Sequence, residues 1–424
     1  MDTPSRRRFW LSVAAASLAL LLGCWLSSGT LAPYGMQASQ PCHYRVNIDD
    51  GQFIAVYRMI DGRPAAEWQG TVVLRRILHP LLAYPWFKAF GFPLGGLLFN
   101  MFSHVVALVA LAVAIRRFFD ARAAILTSWL FATYPGYAYW VGLPYSYAFI
   151  VPGSVACLIA LLWLHERPSH LRSFAAACVV GFVGLGYDLI PFFGGALLVM
   201  LFAHRRWLDL ALAVATLAAW VVFIAKGLPA IFGFPALNSN TQAYTNVVTS
   251  YLDAAHRPGW GSLLLDVPGI FVSNYFFSNF VFFPALLIWL VALRRQRPVF
   301  HPVALAVLLA TLGMFLFLNL APPYASEWQL RGTWIPRLFQ PWFVAVLVTV
   351  AAASVALRNS PRYKLVVWSV AIACVLDGAV IAGPFIGLTP LYASVYQRFY
   401  RAPLMNRNAS WLDKLGRRPY GFCQ

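Results

Sequence analysis

Apolar runs of about 20 residues recur along this chain of 424 residues, separated mostly by short polar segments. A run of that length crosses the ~30 Å hydrocarbon core of a bilayer as an α-helix. Only helices or closed barrels satisfy their own backbone in lipid, and these runs far exceed a barrel strand of ~10 residues. The pattern predicts an all-α, polytopic integral membrane protein with about 11 transmembrane helices. The first crossing is placed at 9–28, the second at 93–115, and the third and fourth within 123–163. The apolar block 173–203 is too long for one untilted crossing and is interrupted by "GYDLIP". It reads as a tight hairpin of two helices, with Asp188 and Pro191 at its tip. Later runs end near Lys226, Arg294, Asn319, Arg358 and Leu388.

Charge orients these segments. "RRFFDAR" (116–122), "HERPSHLR" (165–172), "HRRWLD" (204–209), "RRQRP" (294–298) and "RNSPRYK" (358–364) are all basic and alternate with longer, mixed or polar stretches. Basic loops stay on the cytoplasmic side. That places outside a first loop at 31–92, a short connection at 142–147, a second loop at 227–266 and a third segment at 321–337. The chain then divides into a membrane domain, 1–388, and an extracytoplasmic tail, 389–424. The tail is itself basic, and a last run that failed to cross would put it inside. Arg6, Arg7 and Arg8 followed by an apolar run also fit a signal peptide, with Leu22-Gly23-Cys24 as a lipoprotein-like cleavage site; uncleaved, the run is the first helix with its N-terminus inside.

Composition agrees. The chain is 60% hydrophobic and 11% charged, against the roughly 25% charge of a soluble domain. The net charge of +18, from 32 Lys+Arg against 14 Asp+Glu, sits largely in the short loops, so it serves topology and gives no reason to expect a nucleic-acid partner. Of six cysteines, Cys24, Cys157, Cys178 and Cys374 lie in apolar runs, where cysteine acts as a small core residue. Cys42 and Cys423 lie outside the spans. On this map they face an oxidising side, and a disulfide between them ties the tail to the first loop; with the tail inside they are two free thiols.

The carboxylates are few and placed at the outer boundary: Asp49, Asp50, Asp61 and Glu67 in the first loop, Asp188 at the hairpin tip, Asp253 and Asp266 in the second loop, Glu327 in the third segment. Asp377 is the clear exception within a span. A cation-coupled transporter keeps its acids at mid-membrane, so this layout favours a reaction at the outer surface. The adjacent Asp49 and Asp50 open "IDDGQFIAVYRMIDGRPAA". In a helix beginning at Ile48 they point ~100° apart, so one can face a reacting centre while the other caps the helix. The alternative is that both are caps or solvated loop groups.

Four landmarks, in order, resemble the GT-C glycosyltransferases, membrane enzymes that use lipid-linked sugars. "IDDGQFIAVYRMIDGRPAA" is similar to their first-loop motif. "RRILHPLLAYPWFKAFG" (75–91) is similar to their second juxtamembrane helix. "GFVGLGYDLIPFFGGALLVMLF" resembles their paired short helices, and "RGTWIPRLFQPWFVAVLVTVAA" their late outer segment. The resemblance implies a GT-C-like fold with juxtamembrane helices in the first outer loop. It also implies inverting transfer of a sugar from a polyprenyl-phosphate donor to a hydroxyl acceptor on the extracytoplasmic face. It maps the general base to Asp50, or Asp49, and the lipid-phosphate ligands to Arg331 and Arg337, where a planar guanidinium suits phosphate oxygens. The family often carries a basic residue near the hairpin tip, so Asp188 is a departure; it orients a substrate or caps a helix. Glu327 either bonds a sugar or pairs with Arg331 four residues on. Arg75 and Arg76 bind the donor or anchor to lipid headgroups. His79 is a candidate contact to the donor phosphate, a lone histidine being otherwise structural.

No histidines outside the spans stand at metal-ligand spacing. No metal site is expected from them, while a divalent cation (Mg or Mn) bridging phosphate and carboxylate stays compatible with the residues. The partners expected are the lipid-linked donor, a glycan, lipid or protein acceptor, and membrane lipid. The location expected is a bacterial inner (cytoplasmic) membrane with its active site on the periplasmic or extracellular side. Competing readings are a glycan polymerase or ligase, a flippase or transporter of lipid-linked substrates, and a non-catalytic subunit.

Overall fold

Capping chemistry sets the tight turns between the apolar runs. In the computed structural model, which describes residues 6–27, 56, 60, 76–91, 94–134, 146–232, 282–293, 301–320 and 341–382, the regular elements are all helical. They are α1 (Arg6–Ser27), α2 (Leu78–Phe90), α3 (Leu94–Phe118), α4 (Ala121–Ala132), α5 (Ile150–Glu166) and α6 (His170–Gly184). There follow α7 (Gly195–Ala203), α8 (Trp207–Val222), α9 (Phe282–Leu293), α10 (Pro302–Leu320), α11 (Pro341–Leu357) and α12 (Tyr363–Ala382). Asp120 starts α4 by accepting from the Ala123 N–H at 2.7 Å, and Ser169 starts α6 by accepting from Arg172 N–H at 3.2 Å; each satisfies a donor that a helix N-terminus leaves open.

The hairpin expected within 173–203 is present. α6 runs to Gly184, a turn carries Tyr187 and Asp188, and the returning arm starts as a π-helical turn, Ile190–Gly194, before α7. At the far end of α7 the chain reverses in three residues. The Arg206 N–H reaches Leu201 O at 2.9 Å and the Arg205 N–H reaches Phe202 O at 2.9 Å, the paired bonds of a Schellman cap. Arg205 holds the left-handed position there, φ 55°. The boundary placed at 227 moves outward: helix continues from α8 through a π turn, Phe223–Gly227, and on through Leu228–Ile231. The exposed Lys226 rides on that helix without ending it, as a lysine stem lying along an apolar surface does.

α11 is buried nearly all round, from Pro341 and Phe343 through Ser354, as expected of a helix apolar on every face. Tyr134 stacks on Phe343 with ring centroids 3.9 Å apart. α1 lays Phe9, Val13, Ala16, Leu20 and Cys24 on the core, a three-to-four-residue spacing that makes one helix face, and its Ser12 Oγ accepts from the Trp129 indole at 3.1 Å. Large apolar side chains stay exposed on the outer surface, among them Leu18, Leu171, Trp207, Leu208, Trp368 and Val375; that is the surface of a protein solvated by lipid. Among the described residues, three helices are long and apolar enough to cross a membrane: Arg6–Cys24, Leu94–Phe118 and Trp207–Ile231.

Most of the basic loops meet at one end. Arg117 pairs with Glu166 at 3.3 Å, Arg172 with Glu166 at 3.7 Å, and His170 with Asp209 at 2.5 Å. Arg116 lies over the Phe9 ring, and His301 packs against Phe119 and His165. This joins the start of α1, the end of α3, the α5–α6 and α7–α8 turns and the start of α10.

Candidate functional site

The opposite end brings the start of α2 against the hairpin tip. The Leu78 N–H donates to Leu185 O at 3.0 Å, which pins the two elements by their backbones. Arg76 Nη2 then donates to Asp188 Oδ2 at 2.5 Å, and its guanidinium lies 4.4 Å from the Tyr187 ring centroid. The Arg76 and Asp188 side chains are 10% and 23% exposed. A charge-assisted bond in such a place is strong and directional, and the ring face adds a cation–π contact. Arg76 is therefore held in the protein, not extended to headgroups. The π turn after Asp188 begins without a side-chain cap, and the Asp188 carboxylate is engaged by Arg76.

In the first turn of α2, three residues past Arg76, His79 enters the interior. Its Nε2 donates to Asn100 Oδ1 of α3 at 2.9 Å, with Phe99 and Phe149 around the ring. The Asn100 carbonyl accepts from His104 Nδ1 at 2.8 Å. All three residues are buried. Burial pushes the His79 pKa from its usual 6.5 down to about 4, against the opposing hydrogen bond to Asn100, so its imidazole is neutral at physiological pH. The sequence reading picked out Arg76, Asp188 and His79, and the structure gathers all three. It missed Tyr187, Asn100 and His104. The signal for the last two was present: two polar residues four apart inside an apolar span, hence on one helix face.

Arg75, Asp49, Asp50, Glu327, Arg331, Arg337, Cys42 and Cys423 lie outside the described residues, and so does the proposed disulfide. Among the described residues no group of three or more His, Cys, Asp or Glu is placed to hold a metal ion.

No protein-family model matches the sequence, and no curated protein matches it either. Solved structures do. ArnT from Cupriavidus metallidurans bound to undecaprenyl phosphate superposes with a TM-score of 0.52 at 16% identity, over 96% of this chain and 76% of that one. The chain shares the fold of that structure, an all-helical GT-C-like membrane fold. Weaker superpositions are found with the same ArnT in its apo state (TM-score 0.49, 16% identity, 95% of this chain and 74% of that one) and with the apo oligosaccharyltransferase of Archaeoglobus fulgidus (TM-score 0.49, 13% identity, 95% of this chain and 61% of that one). Within the GT-C fold, the Arg76–Asp188 pair stands at the end of the bundle opposite the basic loops.

Proposed function

We propose that this chain is an inverting glycosyltransferase that moves a sugar from a polyprenyl-phosphate donor to a hydroxyl acceptor on the extracytoplasmic face. The observation that carries the proposal is the likeness, over 96% of the chain, to ArnT bound to undecaprenyl phosphate. In the reaction the acceptor oxygen attacks the anomeric carbon, the bond from that carbon to the phosphate oxygen breaks, and the lipid phosphate leaves with the electron pair. Asp50, or its neighbour Asp49, takes the acceptor proton as attack proceeds; a positioned carboxylate contributes about 10²–10⁴-fold. Arg331 and Arg337 neutralise the charge that grows on the leaving phosphate. Arg76, held between Asp188 and Tyr187, is a preorganised cation for the donor phosphate, and Asp188 fixes its direction. Glu327 hydrogen-bonds a sugar hydroxyl. The membrane is a bacterial inner membrane, and the acceptor is a glycan, a lipid or a protein.

The test is turnover in proteoliposomes supplied with a polyprenyl-phosphate-sugar pool, read as release of polyprenyl phosphate. Asp50→Asn is expected to lower turnover by about 10²-fold or more while donor binding persists. Full turnover in both Asp49→Asn and Asp50→Asn removes the base assignment.

A further inference from the structure

Asn100 stands in the second turn of α3, inside an apolar span, and is fully buried. A polar group in such a place is expensive and is kept for a use. Two histidines converge on it. His104, one turn on, donates from Nδ1 to the Asn100 carbonyl at 2.8 Å, and the Ser103 hydroxyl donates to the same carbonyl at 2.8 Å. The Asn100 side chain reaches out of the helix: its Oδ1 accepts from His79 Nε2 of α2 at 2.9 Å. Because Oδ1 can only accept, the neutral imidazole carries its one proton on Nε2, and the bond has a fixed direction. Phe99 and Phe149 meet the ring edge-on at 5.4 Å and 6.2 Å. Phe149 also meets the hairpin. A Cβ at Gly186 would fall 2.1 Å from its ring, so the turn that carries Tyr187 and Asp188 rests on the same phenyl group. Ile77, between Arg76 and His79, is helical (φ −63°, ψ −25°), so those two side chains, three residues apart, lie on one face.

We propose that Asn100 and His79 are positioning residues for the donor phosphate: through their hydrogen bond the span α3 fixes the rotation of α2, and with it the direction in which the Arg76 guanidinium is presented. The inference rests on the reading of Arg76 as the cation that receives that phosphate. Asp188 holds the guanidinium from the hairpin side; the His79–Asn100 bond holds its helix from the span side. Both residues are buried, His79 to 1% and Asn100 to 0% exposure, and act through Arg76. A planar fork binds phosphate oxygens in a bidentate way only when its plane is aimed. Apolar burial has no direction, so the phenyl rings around His79 cannot supply that aim, and an oriented hydrogen bond can.

The experiment is equilibrium binding of a radiolabelled polyprenyl phosphate to the purified full chain in nanodiscs. His79→Phe keeps a ring beside Phe99 and Phe149 but removes the donor; Asn100→Leu removes the acceptor at similar volume. Each is expected to raise the Kd about tenfold, the loss of one charge-assisted bond from a misaimed arginine. His79→Gln, whose amide N–H reaches the place of Nε2, should restore binding to within about twofold of the parent. In an Arg76→Gln chain, already weakened, His79→Phe should add no further loss, because its effect passes through the missing guanidinium. Replacing both hydrogen-bond partners by apolar groups strands neither, so the double variant His79→Phe/Asn100→Leu should melt close to the parent and still bind about tenfold more weakly. That double variant decides if either single one fails to fold. Binding that returns with stability in the double variant, additive losses on Arg76→Gln, or parent-like binding in both single variants overturns the assignment and leaves Arg76 in its role. Parent-like binding by Arg76→Gln instead removes the reading of Arg76, and this inference with it.

Discussion

The Arg76–Asp188 bond joins residues 112 apart in sequence. Each was visible as a charge beside an apolar run, but their pairing was not, because no local pattern links the start of one juxtamembrane helix to a hairpin tip over a hundred residues on. Partly buried pairs behave asymmetrically: removing one partner strands the other. Asp188→Ala should cost about 2–3 kcal/mol in detergent unfolding, below the ~3–5 kcal/mol for a fully buried pair because Asp188 keeps some exposure, and Arg76→Met in the same chain should recover part of the loss. Additive losses in the double variant would show that the two side chains do not depend on each other. His79 gives a pH signature. Its folded pKa is depressed, so between pH 6.5 and about 4 the unfolded chain binds a proton that the folded one refuses. The contribution is fully present above the upper value and is lost as pH falls to the lower one, on the order of 3 kcal/mol in all. Thermal melts from pH 7.5 down to 4.5 should therefore slope more steeply for the parent than for His79→Gln; parallel curves would contradict the buried, neutral imidazole.

Apolar helices were legible because hydropathy is additive along a run, and three of the described ones are long and apolar enough to cross a membrane. The predicted segment at 75–91 corresponds to α2, and the block 173–203 to the α6–α7 pair. What hydropathy cannot register is the close approach of one helix to another. A Cβ added at Gly95 would lie 2.4 Å from Trp86 O and 2.6 Å from the Phe87 Cα, and both obstacles are backbone. Gly95 thus lets α3 return directly against α2, which carries His79 and follows Arg76 by two residues. One added at Gly181 would lie 2.1 Å from the Trp220 ring, so this glycine seats α6 against α8. Helices in lipid gain little from apolar burial and rely on such close contact. Gly95→Ala should destabilise by about 1–3 kcal/mol and shift the α2 end, since overpacking against backbone has no side chain to displace. Gly181→Ala should cost a similar amount, with Trp220→Leu restoring much of it. Equal stability of Gly95→Ala and the parent would mean that α2 does not sit where described. The π-helical starts at Ile190 and Phe223 were not legible at all, since one extra residue in a turn leaves the apolar run unchanged.

At the scale of the whole molecule, the alternation of basic loops along the sequence anticipated a bundle with two unlike ends. The structure joins most of those loops at one end through ion pairs and ring contacts and sets the Arg76–Asp188 pair at the other. The sequence also singled out the segments bearing Asp49, Asp50, Arg331 and Arg337, which lie outside the described residues. In the proposed reaction the lipid phosphate of the donor is received at the Arg76–Asp188 end. Photo-crosslinking tests this directly, with a polyprenyl phosphate carrying a photoactivatable group near the phosphate and peptide mapping of the labelled chain. The expected result is saturable labelling around Arg76 and the 185–190 hairpin tip, competed by unmodified polyprenyl phosphate. Labelling confined to the basic end, or none that saturates, would contradict it.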